Sequence, residues 1–215
     1  MKANVYVDGF NLYYGAVKNT PYRWLDISAM CRLLLSKDDI QRIKYFTALV
    51  DPRPSDPDQR VRQETFLRAL ATIPNLSVFY GFFLTHEVTM PRVGGGYAQV
   101  IKTEEKGSDV NLATQLLVDA YHDDYEIAVV VSNDSDLLMP IQVVTSEFKK
   151  PVGLLNPQKK SQPRALATHR LHQADTAWRP SQEPVPQNAD GQAGQFLQAG
   201  FVVKEAMAHI SLLSF

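Results

Sequence analysis

The strongest constraint on the fold is a predicted strand at residues 125–131, whose last five residues, from Ile127, are all apolar and end in three consecutive valines. A run without polar alternation is typical of a parallel strand that is covered on both faces. The residues directly after it are Ser132, Asn133, Asp134, Ser135 and Asp136. Because open α/β sheets bind ligands at the carboxyl ends of their parallel strands, we expect chemistry at this point of the chain.

The rest of the chain alternates between strand-like and helix-like segments. Strands are predicted over residues 3–7, 40–50, 76–84, 97–103, 125–131 and 151–155, and helices over residues 26–35, 57–71, 108–122 and 137–148. Strand–helix–strand order implies βαβ units with right-handed crossovers. The sequence therefore predicts an α/β fold, a three-layer sandwich with a central, mainly parallel sheet flanked by helices.

A change of composition divides the chain into three parts. Residues 1–155 carry the alternating pattern and are predicted to form one domain. Residues 156–195 are rich in Gln, Pro and Ser and poor in apolar side chains, which is typical of a polar insertion or loop. Residues 196–215 regain amphipathic spacing, so we predict a C-terminal helix that docks on the domain.

Charge and cysteine content restrict the environment and the partners. The single cysteine, Cys31, excludes an internal disulfide and suits a reducing compartment, so we expect a cytoplasmic protein. The first residues fit neither a signal peptide nor a membrane span, and we expect no membrane association. A formal net charge of −1 means that a polyanion must be held by local basic patches or by metal.

Acidic residues follow or open several of the predicted elements. Asp8 comes directly after the first strand, Asp109 opens a helix, and Asp134 and Asp136 follow the central strand. Four carboxylates on one rim of a sheet would repel each other unless a divalent cation were bound. Since the chain has no cluster of His and Cys for zinc, the acids predict a site for Mg2+ or Mn2+. We assign no organic-cofactor site.

Three motifs in this order resemble the NYN family of PIN-like ribonucleases. They are VDGFNL at residues 7–12, KGSDV at residues 106–110, and VSNDSDL at residues 131–137 with Pro140 after it. The resemblance covers residues 1–155 and implies a compact α/β sandwich whose acidic residues bind one or two Mg2+ or Mn2+ ions and hydrolyse RNA. By position, the acidic set of the family falls on Asp8, Asp109, Asp134 and Asp136, and its asparagine on Asn11. Asn133 stands where the family commonly has glycine.

The chemistry of phosphodiester cleavage assigns a role to each of these side chains. A divalent ion held by carboxylates activates a water and neutralises the leaving oxygen. We expect Asp8 to be a direct ligand, Asp109 and Asp134 to complete the inner sphere, and Asp136 to bind a second ion or orient the attacking water. The amide of Asn11 can hydrogen-bond a carboxylate or the scissile phosphate. Taken singly, each aspartate is also a common turn former or helix cap.

Several alternatives stay open at this stage. The favoured function is a metal-dependent endoribonuclease with an RNA substrate, and the alternatives are a non-catalytic nucleic-acid or protein binding module on the same fold and a PIN-like DNA nuclease. A protein partner or a homo-oligomer cannot be read from the sequence. Tyr13 and Tyr14 suit either base stacking or aromatic core packing. A basic cluster, Lys159, Lys160, Arg164 and Arg170, either tracks an RNA backbone or is a solvated loop.

Overall fold

The computed structural model describes residues 1–157 and the backbone of Ser211–Leu212. Its strands are β1 (Lys2–Asp8), β2 (Asp39–Thr47), β3 (Leu76–Tyr80), β4 (Phe82–Pro91), β5 (Tyr97–Lys106), β6 (Ile127–Val131), β7 (Val152–Asn156) and β8 (Ser211–Leu212). The central sheet has the order β3-β2-β1-β6-β7-β8. All of its pairings are parallel except that of β8, which is antiparallel to β7.

The helices connect and cover these strands. They are α1 (Gly9–Leu12), α2 (Ile27–Leu34), α3 (Gln59–Leu70), α4 (Ser108–Tyr121) and α5 (Leu138–Ser146). A π-helical turn, Tyr13–Val17, continues α1, and a 3-10 turn, Ser135–Leu137, precedes α5. The helix α2 begins where predicted, because the Asp26 side chain accepts a hydrogen bond from the backbone N–H of Ala29 at 2.9 Å.

Two apolar cores lie on opposite faces of the sheet. Alternate strand residues point to opposite faces, and the two sets are Val5, Val7, Val129 and Val131 in the first core and Tyr6, Ala128 and Val130 in the second. Helices α2 and α3 contribute Met30, Cys31 and Leu67 to the first core, and α4 and α5 contribute Leu112 and Val144 to the second. Full burial of such a Leu or Val contributes about 1.5–3 kcal/mol. The predicted three-layer α/β sandwich is confirmed.

The region between β3 and α4 differs from the prediction. The expected strand over residues 76–84 is divided at Gly81, whose N–H donates to the carbonyl of Thr47 at 2.8 Å. A Cβ at Gly81 would lie 2.5 Å from the carbonyl oxygen of Lys106, so the close approach of β5 requires glycine here. Strands β4 and β5 then form a separate antiparallel hairpin. The sequence indicated only part of β5 and no strand over residues 85–91.

A buried polar network ties α4 to the sheet. The Lys44 ammonium lies 2.7 Å from a carboxylate oxygen of Asp119, with the two side chains 8% and 10% exposed. Tyr6 donates a hydrogen bond to Asp119 at 2.6 Å, and Lys44 donates one to Gln115 at 2.7 Å. Burial, together with the Asp119 carboxylate, raises the pKa of the Tyr6 hydroxyl. The charge of Asp119 is thus compensated inside the second core.

Part of the sequence-based prediction lies outside the described residues. This holds for the polar segment 156–195 beyond Pro157, for the basic cluster Lys159, Lys160, Arg164 and Arg170, and for the helix over residues 196–215 except Ser211–Leu212, whose backbone is extended beside β7. Within the described part of the chain, no helix is long and apolar enough to cross a membrane.

Candidate active site

The carboxyl ends of β1 and β6 meet at one edge of the sheet. The parallel register pairs Val7 with Val131, so Asp8 and Ser132 leave their strands side by side. The Ser132 hydroxyl donates a hydrogen bond to the Asp8 carboxylate at 2.9 Å, and both residues are buried. The first and last of the three motifs are therefore joined directly, although more than a hundred residues separate them.

Asp8 is held rigidly at this edge. Its second carboxylate oxygen accepts the backbone N–H of Asn11 at 2.9 Å, so Asp8 also caps α1. Burial raises the pKa of the Asp8 carboxyl and the charge of Asp134 adds to this, while the hydrogen bonds from Asn11 and Ser132 act in the opposite direction. The Asp8 side chain thus caps α1 and also belongs to the group of acidic residues at this end of the strands.

Asp134 and Asp136 are arranged by a turn. The Asp134 N–H donates to the Ser132 hydroxyl at 3.1 Å, and the Asp134 carboxylate accepts the N–H of Asp136 at 2.9 Å. This places Asp134 half-buried at the start of the 3-10 turn, whereas Asp136 is exposed. One carboxylate oxygen of Asp134 accepts this hydrogen bond, and the other oxygen is not used in the turn.

The asparagines connect the two loops of the edge. The Asn11 amide oxygen accepts the N–H of Asn133 at 3.1 Å, and the Asn133 amide oxygen accepts a hydrogen bond from Asn156 at 3.0 Å. Asn133 is not among the described residues with positive φ, so its backbone does not require the glycine common in the family. Asn11 therefore positions the loop that carries Asp134, besides any contact to substrate.

Asp109 completes the group from the first turn of α4. Gly107, with φ of 95°, turns the chain out of β5 and into this helix. Burial raises the pKa of the Asp109 carboxyl to about 7, and the negative charges of Asp8, Asp134, Glu105 and Asp136 raise it as well. The four predicted aspartates therefore share one electrostatic neighbourhood, which we call the acidic rim.

Sequence reasoning missed Glu105 as a member of this neighbourhood. It lies near the end of β5, and its carboxylate accepts the backbone N–H of Ser108 at 3.1 Å. Glu105 thus satisfies a free N–H at the start of α4 and adds negative charge beside Asp109. The available signal was its position three residues before the helix start, which is too common a pattern to single out.

The raised pKa of Asp109 predicts a pH-dependent stability in chelator. An unfolded aspartate loses its proton near its ordinary pKa of 3.8, whereas folded Asp109 keeps it until about pH 7. The folded state therefore binds more protons in this window, and its stability falls as pH rises from about 4 to about 7. We expect Asp109→Asn to raise the melting temperature at pH 8 and to leave it unchanged near pH 4.

The control for this measurement is Asp39→Asn. Asp39 is an exposed residue at the first position of β2, so it lies at the amino-terminal end of the parallel strands, opposite the acidic rim. Thermal melts from pH 4 to pH 8 should give Asp39→Asn the same profile as the wild type. A profile of Asp109→Asn parallel to that of the wild type would contradict the repulsion at the acidic rim.

The acidic rim suits a hard divalent cation by donor type and charge. Carboxylate oxygens are preferred ligands of Mg2+, and a cation would offset the negative charges that, together with burial, raise the pKa of the Asp109 carboxyl. Among the described residues, no group of three or more His, Cys, Asp or Glu side chains is arranged to hold a metal ion. The side chains of the acidic rim are therefore not arranged as a preformed metal cage, and a bound Mg2+ would keep several of its waters.

The mainly parallel sheet flanked by helices, with acidic residues at the carboxyl ends of its strands, is an α/β domain with a candidate site at the position typical of such sheets. The NYN domain model matches residues 2–173, and the chain belongs to the NYN family of the PIN-like superfamily. The predicted resemblance is thereby confirmed.

Individual relatives are more distant. The chain is 28% identical over 187 residues to 6-hydroxy-3-succinoylpyridine 3-monooxygenase HspA of Pseudomonas putida, a match that covers 73% of this chain and 60% of that protein. A crystal structure of a protein of unknown function from Vibrio parahaemolyticus is similar with a TM-score of 0.46 and 18% identity, covering 71% of this chain and 79% of the other. The chain thus spans about three fifths of the curated relative.

Proposed function

We propose that this protein is a metal-dependent endoribonuclease that hydrolyses RNA at the acidic rim. The observation that carries the proposal is the grouping of Asp8, Asp134 and Asp136 around Asp109, where burial and these negative charges together raise the pKa of the Asp109 carboxyl to about 7. A group of carboxylates with a strongly perturbed pKa is a candidate for a functional site. Membership of the NYN family supports the same conclusion.

Each side chain has a distinct part in this reaction. Mg2+ or Mn2+, when bound, supplies charge neutralisation and an activated water. Asp8, fixed by Ser132 and by the N–H of Asn11, would hold the ion at the deepest point of the rim. The half-buried Asp109 and Asp134 would bind the same ion directly or through water, and the exposed Asp136 would orient the attacking water and accept its proton.

The test is cleavage of defined nucleic acids by the purified protein. Single-stranded RNA, hairpin RNA and single-stranded DNA are incubated with Mg2+, with Mn2+ or with EDTA. We expect internal cleavage of RNA that EDTA abolishes. Cleavage of DNA alone would support the PIN-like DNA nuclease instead, and binding without cleavage of any substrate would support the non-catalytic module.

Metal binding at the rim also predicts a change in stability. Mg2+ or Mn2+ at millimolar concentration should raise the melting temperature, because a cation that binds only the folded state stabilises it. The double variant Asp134→Asn/Asp136→Asn should lose this response, and in EDTA it should melt no lower than the wild type because two repelling charges are gone. Equal metal-induced shifts in the wild type and the variant would place the ion elsewhere.

The similarity to the monooxygenase gives a second candidate function. By its name, the Pseudomonas enzyme acts on 6-hydroxy-3-succinoylpyridine, a hydroxylated heteroaromatic ring with an acidic side chain. We infer the same substrate class as the alternative for this chain. Oxygen uptake on addition of that compound and an electron donor, with no RNA cleavage, would favour the alternative over the nuclease.

A further inference from the structure

A cavity of about 500 Å³ lies directly beside the acidic rim. Gly9 and Phe10, the two residues after Asp8, form part of its wall, and Tyr45 of the neighbouring strand β2 forms another part. A Cβ at Gly9 would lie 2.7 Å from the Tyr45 hydroxyl, so α1 packs tightly on β2 at the junction between cavity and rim. The volume is within the range of ligand pockets, about 300–1,000 Å³.

Partly exposed aromatic side chains line this cavity. Tyr14 and Trp24 are each 54% exposed and Tyr13 is 39% exposed, whereas Leu25 and Tyr45 of the same lining are buried. Their rings are already organised: Tyr13 and Tyr14 meet edge to face, with ring centroids 5.3 Å apart. Exposed aromatic faces grouped in a concavity are typical of surfaces on which nucleic-acid bases stack.

The same cavity is positively charged. Its lining includes Lys18, Arg23, Arg53 and Arg62, against the single carboxylate of Asp56. Asp56 accepts a hydrogen bond from Arg62 at 2.5 Å, and the charges of Arg23 and Arg53 also act on it, which shows that these side chains cluster. The ammonium of Lys18 lies 4.6 Å from the centre of the Tyr14 ring. An anionic group therefore finds an excess of cations here, in contrast to the adjacent acidic rim.

We propose that this aromatic and basic cavity, the nucleotide pocket, receives the base and phosphate of one unpaired nucleotide next to the bond cut at the acidic rim. The inference rests on the proposed function and specifies its substrate as single-stranded RNA. A base within a duplex is stacked on both faces and paired along one edge, so it cannot present a face to Tyr14 or Trp24. Arginine and lysine hold the phosphate, and the strand continues past Gly9 to Asp8.

Trp24 provides a direct reporter of occupancy that is independent of cleavage. The chain has two tryptophans, and Trp178→Phe leaves Trp24 alone. In EDTA, this protein is titrated with adenosine or uridine 5′-monophosphate, with a ten-nucleotide single-stranded RNA, and with the same RNA as a duplex. We expect saturable quenching by the mononucleotides, tighter binding of the single strand, and weaker binding of the duplex.

Two pocket variants and one control test the assignment. Tyr14→Ala should weaken binding of the single strand by about tenfold, because it removes one stacking face. Arg23→Gln should weaken it less but should reduce its dependence on salt, because it removes a phosphate contact. Tyr121→Ala removes an even more exposed ring from α4, on the other face of the sheet, and should bind like the parent.

The outcomes separate this inference from the proposed nuclease. Unchanged affinity in both pocket variants, or equal affinity for single strand and duplex, would overturn the nucleotide pocket even if the protein cleaves RNA. In a further titration with 6-hydroxynicotinate, a small heteroaromatic acid, quenching by this compound but by neither mononucleotide would overturn the nucleotide pocket as well and would identify such an acid as the occupant. Binding with the expected pattern but without cleavage would support the pocket while the nuclease proposal fails.

Discussion

Asp134→Asn is expected to lower RNA cleavage by about 100-fold or more while the protein stays folded, because the change removes a ligand charge and almost no volume. The asparagine keeps a side-chain oxygen that can accept the N–H of Asp136, as Asp134 does at 2.9 Å. The turn after β6 should therefore survive, and the loss should appear in kcat. Initial rates in Mg2+ or Mn2+, with melting curves of the same samples, give the measurement.

Asp8→Asn and Asp109→Asn should show losses of similar size, since all three aspartates belong to the acidic rim. Asp39→Asn is the matched control, because it makes the same chemical change at the amino-terminal end of the parallel strands. This variant should cleave at the wild-type rate. If any two of the three rim variants keep near-wild-type turnover, the rim is not the site of hydrolysis.

Lys44→Met is expected to lower the free energy of unfolding by about 3–5 kcal/mol, because it leaves the Asp119 carboxylate buried without its counter-charge. Asp119 is only 10% exposed and would keep its hydrogen bond from Tyr6. One neutral donor does not compensate a buried charge. Urea denaturation at pH 7 measures the loss.

Two further variants control this experiment. Arg42→Met breaks a surface ion pair with Asp124, in which the arginine is 58% exposed, and should cost about 1 kcal/mol or less. The double variant Lys44→Met/Asp119→Leu removes both buried charges and should recover much of the lost stability. If Lys44→Met and Arg42→Met lower the free energy of unfolding equally, the buried ion pair matters no more for stability than the surface ion pair.

Local signals were sufficient to predict the sandwich. The apolar run that ends at Val131 predicted a strand covered on both faces, and it pairs with β1 and β7 in the centre of the sheet. Asp26 was predicted to cap α2 and does so. Such features are fixed by neighbouring residues, so the sequence displays them directly. The common edge of Asp8 and Asp134 followed because parallel strands end on the same side.

Features that depend on distant contacts were not predicted. The division at Gly81 depends on the approach of the Lys106 carbonyl, and the Lys44–Asp119 pair joins residues 75 positions apart. Neither leaves a periodic signal. Likewise, Tyr13 and Tyr14 allowed two interpretations, because their neighbours in the cavity come from the chain around Trp24 and from the segment before α3.

The adjacency of β1 and β6 also determines when the acidic rim comes into existence. Asp8 and Ser132 are 124 positions apart, so a growing chain on the ribosome exposes Asp8 long before Ser132 and Asp134 are made. Closing so long a loop is entropically costly and needs β6 in place between β1 and β7. The nascent protein therefore has no assembled rim until β6 has been made and has paired with β1.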